Sequence, residues 1–159
     1  MSADEDLAGQ ALAQACADAM LGEDNASRGL GMALGRIGPG EAVMTMTVTD
    51  AMTNGHRICH GGFIFTLADS AFAFSCNSYN QRTVAQHCQV SFLKPAFCGD
   101  VLSAHALERW REGRSGIYDV AVRNQDGELV AEFRGHSRTI KGTYVDTAAV
   151  PQTTHTEGA

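Results

Sequence analysis

The sequence predicts an α+β fold in which one curved antiparallel sheet wraps round a single long apolar helix. Three observations predict it. Residues 61–78 are apolar on nearly every side, so this helix has no water-facing stripe and should be covered almost all round. Six other segments read as strands, four of them after the helix. Gln125-Asp126-Gly127 lies between two alternating runs, a strong hairpin signal. An antiparallel sheet and one apolar helix bury each other best when the sheet curls round the helix.

In chain order, residues 7–21 are Ala-rich and carry Leu7, Leu12, Cys16 and Met20 near helical spacing, which predicts a helix packed on the body from outside. Residues 30–37 form a weak strand softened by Gly31 and Gly35, and Gly38-Pro39-Gly40 is a turn. Residues 41–49 set Ala42, Met44, Met46 and Val48 against Val43, Thr45, Thr47 and Thr49, a strand with one buried and one wetter face. After the apolar helix, residues 83–93 form a long strand that Lys94-Pro95 should end. Residues 100–111, 117–124 and 129–140 are strands too. Short connections join these last four strands, so they are expected to be antiparallel neighbours in chain order. Residues 1–142 form one domain, and the Thr-rich stretch 143–159 is expected to be a disordered tail.

Bulk properties narrow the function classes. A chain of 159 residues can bury roughly 70% of its unfolded surface, enough for a substantial core. The net charge of -6 argues against a general nucleic-acid partner. No apolar run approaches the roughly 20 residues of a membrane span. The cysteines Cys16, Cys59, Cys76, Cys88 and Cys98 are odd in number and widely spaced, a poor disulfide framework. With an acidic start in place of a signal-peptide pattern, they suggest a cytoplasmic protein.

The stretch 54–77 concentrates the chemistry. It holds Asn54-Gly55-His56, then Cys59-His60-Gly61-Gly62, then the apolar helix with one acid, Asp69. An unpaired carboxylate in apolar surroundings is costly, so either a partner satisfies Asp69 or the site uses it. A helix N-terminus offers free N–H groups, and Gly61 and Gly62 let a carbonyl approach them without a Cβ in the way. His56, Cys59, His60, Cys76, His87 and Cys88 match no structural zinc spacing, and no metal site is expected. Cys59 lacks an identifiable base and is better read as small core filling. His60 reads equally well as a structural histidine.

Asn-Gly-His, His-Gly-Gly and Leu67-Ala68-Asp69, with the acid eight residues after the first glycine of the pair, resemble the pattern of hotdog-fold acyl-CoA thioesterases. The PaaI-type thioesterases of phenylacetate degradation are the nearer resemblance. Phe92-Leu93-Lys94-Pro95 with Gly99-Asp100, Tyr118-Asp119 with Val122 and Asn124, and Phe133-Arg134-Gly135 support it. The resemblance covers roughly residues 40–142. Two small departures are Ser70, where Thr is also common, and Phe63-Ile64, where a more polar pair is often seen.

The resemblance implies thioester hydrolysis of an aryl-acetyl-CoA, phenylacetyl-CoA or a ring-hydroxylated form, with no metal or redox cofactor. It implies that Asp69 is the nucleophile or the general base that activates water. Gly61 would be the oxyanion donor, and Asn54 a polar group near the thioester and attacking water. His60 would shape the turn, and Ser70 would help place water. Gly61 and Asp69 are about 12 Å apart along the helix axis, too far to touch one carbonyl within one chain. The resemblance supplies the solution: a homodimer with its active sites at the interface, with pairing into a dimer of dimers. Lys94, or one of several arginines, would hold the coenzyme A phosphates. Two other readings remain open. A hotdog dehydratase or hydratase usually shows a Pro-bearing His motif before the helix, and no Pro stands between Gly40 and Leu93. A non-catalytic acyl-CoA sensor would bind the ligand without turnover.

Overall fold

The computed structural model describes residues 3–150. Helix α1 (Ala3–Glu23) leads into the short α2 (Asn25–Gly29). Strands β1 (Ala33–Gly38) and β2 (Glu41–Thr47) come next, followed by helix α3 (Gly61–Cys76). Strands β3 (Thr83–Phe92), β4 (Val101–Glu112), β5 (Ser115–Arg123) and β6 (Leu129–Thr139) complete the sheet. All six strands are antiparallel to their neighbours, in the order β1-β2-β4-β5-β6-β3.

Alternation decides which face of the sheet meets α3. Ala42, Met44 and Met46 of β2, Leu102, Ala104 and Ala106 of β4, and Tyr118, Val120 and Val122 of β5 are all buried on the helix side. Against them α3 places Ile64, Leu67, Ala68, Ala71, Phe72 and Phe74. Phe72 stacks at a tilt on Tyr118 and Phe133, with ring centroids 5.5 and 5.8 Å apart. Gly135 permits this: a Cβ there would lie 2.8 Å from the Phe72 ring. At the β5–β6 hairpin, Asn124 Oδ1 accepts from the Asp126 and Glu128 amides, and Gly127 takes the positive φ of 78°.

Three features differ from the sequence reading. β3 does not lie beside β4. It pairs with β6 at the sheet edge, because residues 93–100 cross the start of α3 instead of making a hairpin. That crossing is pinned by an Ile58–Phe97 bridge and by the Cys59 amide donating to Ala96 O at 2.7 Å. Secondly, α3 is not covered all round. The sheet is open, and Gly62, Thr66, Asp69, Ser70 and Ala73 form a strip that this chain leaves partly accessible. Thirdly, residues 143–145, at the start of the expected tail, are docked on the loop after α3. Asn80, itself at φ 58°, accepts from the Tyr144 and Val145 amides at 2.9 and 3.0 Å, and the Tyr144 hydroxyl donates to Asn77 Oδ1 at 2.8 Å. Residues 151–159, the end of the expected tail, lie outside the described residues.

Helix α1 is longer at both ends than the predicted 7–21. It packs on β1 through Ala13, Cys16 and Ala17, and Gln10 donates to Ile37 O. No described helix is long and apolar enough to cross a membrane.

Candidate active site at the start of α3

The segment before α3 is held on both sides. The His60 amide donates to Met52 O at 2.8 Å, and Thr53 bridges Cys59. Between them, residues 54–58 close a tight turn in which Arg57 takes a positive φ of 59°. Asn54 organises it: its Oδ1 accepts from the His56 amide at 2.9 Å, and its carbonyl accepts from the Arg57 amide at 2.9 Å. That pairing leaves the Asn54 side-chain NH2 without an acceptor among the described residues.

His60 is the N-cap of α3. Its Nδ1 accepts from the Gly62 amide at 2.9 Å, which assigns the ring proton to Nε2. The Phe63 amide returns to His60 O at 3.0 Å. The Gly61 N–H donates to no acceptor among the described residues. The cap therefore spends the second amide of the helix and leaves the first one open, at the positive end of the helix dipole. Asn54 and Gly61 line one cavity of about 570 Å³, with Ile58, Cys59, Ile64 and the segment 92–96 completing its wall.

Asp69 lies two turns further along α3, outside this cavity and on the partly accessible strip. Its carboxylate makes no hydrogen bond or ion pair within the described residues, and burial pushes its carboxyl above the usual carboxylate range. Its charge reaches Cys88 of β3 and Cys76, whose thiols are both pushed up chiefly by burial. Ser70 points elsewhere. Its hydroxyl lies 3.1 Å from that of Ser27, which donates in turn to Asp24 at 2.5 Å. Ser70 thus joins α3 to α2.

The structure brings Asn54, His60 and Gly61 together and keeps Asp69 and Ser70 apart from them within one chain. Sequence reasoning missed Phe92 as a site residue. In the sequence it is one more apolar residue ending a strand, and only the crossing of residues 93–100 puts its ring beside Gly61. Among the described residues, no three His, Cys, Asp or Glu side chains gather as a metal-binding group.

Comparison with known proteins agrees with this geometry. The thioesterase superfamily profile matches residues 56–131. Acyl-coenzyme A thioesterase PaaI of Escherichia coli is 46% identical over 80% of this chain and 91% of its own length. The solved structure of E. coli PaaI, from the phenylacetic acid degradation operon, superposes with a TM-score of 0.83, covering 84% of this chain and 97% of that one. A mutant of phenylacetic acid degradation protein PaaI from Thermus thermophilus is 34% identical, with a TM-score of 0.71, covering 74% of this chain and all of that one. With its open six-stranded sheet over one central helix and its His-Gly-Gly helix cap, the chain belongs to the hotdog-fold thioesterase superfamily, among the PaaI-type acyl-CoA thioesterases.

Proposed function

We propose that this protein hydrolyses aryl-acetyl-CoA thioesters, phenylacetyl-CoA or its ring-hydroxylated forms, to the free acid and coenzyme A, at sites shared by two copies of the chain. One observation carries the reading. A free N–H at Gly61 and an unpartnered, half-buried carboxylate at Asp69 stand on one helix, about 12 Å apart along its axis. They meet on one carbonyl only if a second copy supplies one of them.

Two surfaces favour that copy. Among the described residues β3 hydrogen-bonds to β6 alone and its other edge, ten residues long, pairs with no strand, an invitation to pair with another. Gly62, Thr66, Ser70 and Ala73 on the uncovered side of α3 are small enough for a second helix to approach closely. Pairing β3 with its own copy would extend the sheet and bring the two α3 helices together. A further pairing of such dimers belongs to the same proposal.

In the shared site, the thioester oxygen accepts from Gly61 N–H of one copy. Asp69 of the other copy either attacks the carbonyl carbon, giving a mixed anhydride that water then opens, or takes a proton from the water that attacks. The negative charge of the tetrahedral intermediate falls on the oxygen held at the start of α3, where such a donor contributes most. Collapse expels the thiolate, which takes up a proton. The burial that lifts the Asp69 carboxyl also makes its carboxylate a stronger base. The Asn54 NH2 can hold the thioester or the water, and His60 keeps the helix cap that leaves Gly61 N–H open. Ser70 acts on water less directly, through its fixed contact with Ser27. Lys94 at the cavity rim is paired with Glu128 Oε1 at 2.7 Å and would exchange that carboxylate for a coenzyme A phosphate. No metal or redox cofactor enters this scheme, and neither nucleic acid nor a membrane is proposed as a partner. Five free cysteines suit the reducing cytoplasm we propose as the site of action.

Release of free thiol from phenylacetyl-CoA, a hydroxylated phenylacetyl-CoA and a medium-chain fatty acyl-CoA tests the reading, with wild type and Asp69→Asn side by side. Turnover of the aryl substrates by wild type and a loss of at least about 100-fold in the variant is expected. Binding without turnover would replace the enzyme with an acyl-CoA sensor.

A further inference from the structure

Gly61 is packed as tightly as any described glycine, and its neighbour is not backbone but one aromatic ring. A Cβ at Gly61 would lie 2.8, 3.1 and 3.2 Å from Cζ, Cε2 and Cε1 of Phe92. The ring therefore rests on the Cα of the residue whose N–H is open. Phe92 is nonetheless 53% exposed, and it lines the same cavity as Asn54 and Gly61. Its backbone is fixed. Phe92 is the last residue of β3, opposite Ala131, and the next two amides, Leu93 and Lys94, both donate to Val130 O. The backbone that carries the ring is thus set, and only the side-chain torsions are free.

From this geometry we infer that Phe92 discriminates among acyl groups by packing its ring against the substituent on the thioester carbonyl. The inference rests on the thioesterase reading above. An oxygen accepting from Gly61 N–H at about 2.9 Å puts the carbonyl carbon one bond beyond, within van der Waals reach of a ring that already touches Gly61. A carbonyl substituent that turns toward Phe92 then runs along that ring. The cavity selects the acyl group. It is lined by the buried Ile64 and Cys59, apolar side chains that suit an apolar group. The thiol side continues into a long charged coenzyme and has to leave toward solvent, past the exposed Lys94. A flat apolar wall favours a flat apolar acyl group, since aromatic rings gain from stacking beyond simple area burial.

The experiment measures kcat/KM for phenylacetyl-CoA, hexanoyl-CoA and the phenylacetyl thioester of N-acetylcysteamine, with wild type, Phe92→Leu and Phe92→Tyr. In Phe92→Leu the phenylacetyl-to-hexanoyl ratio should fall about 3- to 10-fold. The ratio of phenylacetyl-CoA to the truncated thioester should stay unchanged, and Phe92→Tyr should keep both ratios. A parallel fall on both acyl groups would make Phe92 a packing residue and overturn the inference. A shift confined to the thiol-side ratio would overturn it equally. A wild type that releases thiol from none of the three removes the thioesterase reading as well. An active wild type with an unmoved acyl ratio removes this inference alone.

Discussion

Gly61 and Gly135 each meet a phenylalanine ring at the same distance, and they should respond to alanine in opposite ways. At Gly61 the added Cβ would lie 2.8 Å from the Phe92 ring, and at Gly135 it would lie 2.8 Å from the Phe72 ring. Neither glycine has a positive φ, so the backbone accepts alanine at both. What differs is whether the ring can move. Within the single chain Phe92 is 53% exposed and has room to swing, whereas Phe72 is 1% exposed and wedged among Tyr118 and Phe133. Gly61→Ala should therefore change stability by less than about 1 kcal/mol, helped by the better helix propensity of alanine. Gly135→Ala should cost about 1–3 kcal/mol through overpacking, a fall in Tm of roughly 3–9 °C at this size. Activity should reverse the order. A methyl at residue 61 fills the approach to the open N–H and displaces Phe92, so thiol release should fall about 100- to 1000-fold, the scale of a lost oxyanion donor. Gly135→Ala should keep its turnover per folded molecule. Calorimetry and the thiol-release assay on both variants check this. A Gly61→Ala protein that melts like Gly135→Ala, or that keeps turnover within about tenfold of wild type, would refute the reasoning.

Burial raises the Asp69 carboxyl above its unfolded-state value, so the folded chain binds its proton more tightly, and stability from this group is lost as pH rises through that window. Asp69→Asn should consequently melt at or above wild type at neutral pH, with the gap closing below the ordinary carboxylate range. The acid limb of wild-type kcat/KM should lie above that range, because the ionised form does the work. Asn80→Ala removes three hydrogen bonds to the Tyr144–Val145 backbone and puts alanine at a φ of 58°, which should cost about 2–3 kcal/mol. Asn80→Gly should recover the conformational part only, and thermal melts separate the two.

Much of this fold is legible in the sequence because burial has a period. Ala42, Met44 and Met46, and likewise Tyr118, Val120 and Val122, alternate with wetter residues, so each strand announces its buried face. The start of α3 is legible for a local reason as well, since a His-Gly-Gly turn carries its own cap. Strand order is not local. The crossing of residues 93–100 depends on Ile58 meeting Phe97 and Cys59 meeting Ala96, contacts that no pattern within either segment encodes. That crossing leaves β3 at the edge and places Phe92 beside Gly61. The docking of Tyr144 on Asn77 and Asn80 is hidden for the same reason, because a Thr-rich segment reads as loose until distant acceptors for its amides are known. At the site, Asn54, His60, Gly61 and Asp69 stand out by type and spacing. The different neighbours of Asp69 and Ser70 on the accessible strip of α3, β3 for one and α2 for the other, emerge only when those elements are in place.

The central claim is that one thioester is held by Gly61 of one copy and attacked with the help of Asp69 of another. Mixing subunits tests it directly. Gly61→Ala and Asp69→Asn, each nearly inactive alone, would be unfolded together and refolded, or co-expressed under separate tags. Each mixed dimer then has one site with both defects and one site with neither. Random pairing should restore roughly a quarter of wild-type thiol release, since half the dimers are mixed and each carries one intact site. If the mixture stays as inactive as its components while mixed dimers are demonstrably present, Gly61 and Asp69 do not act across an interface, and the shared-site account is wrong.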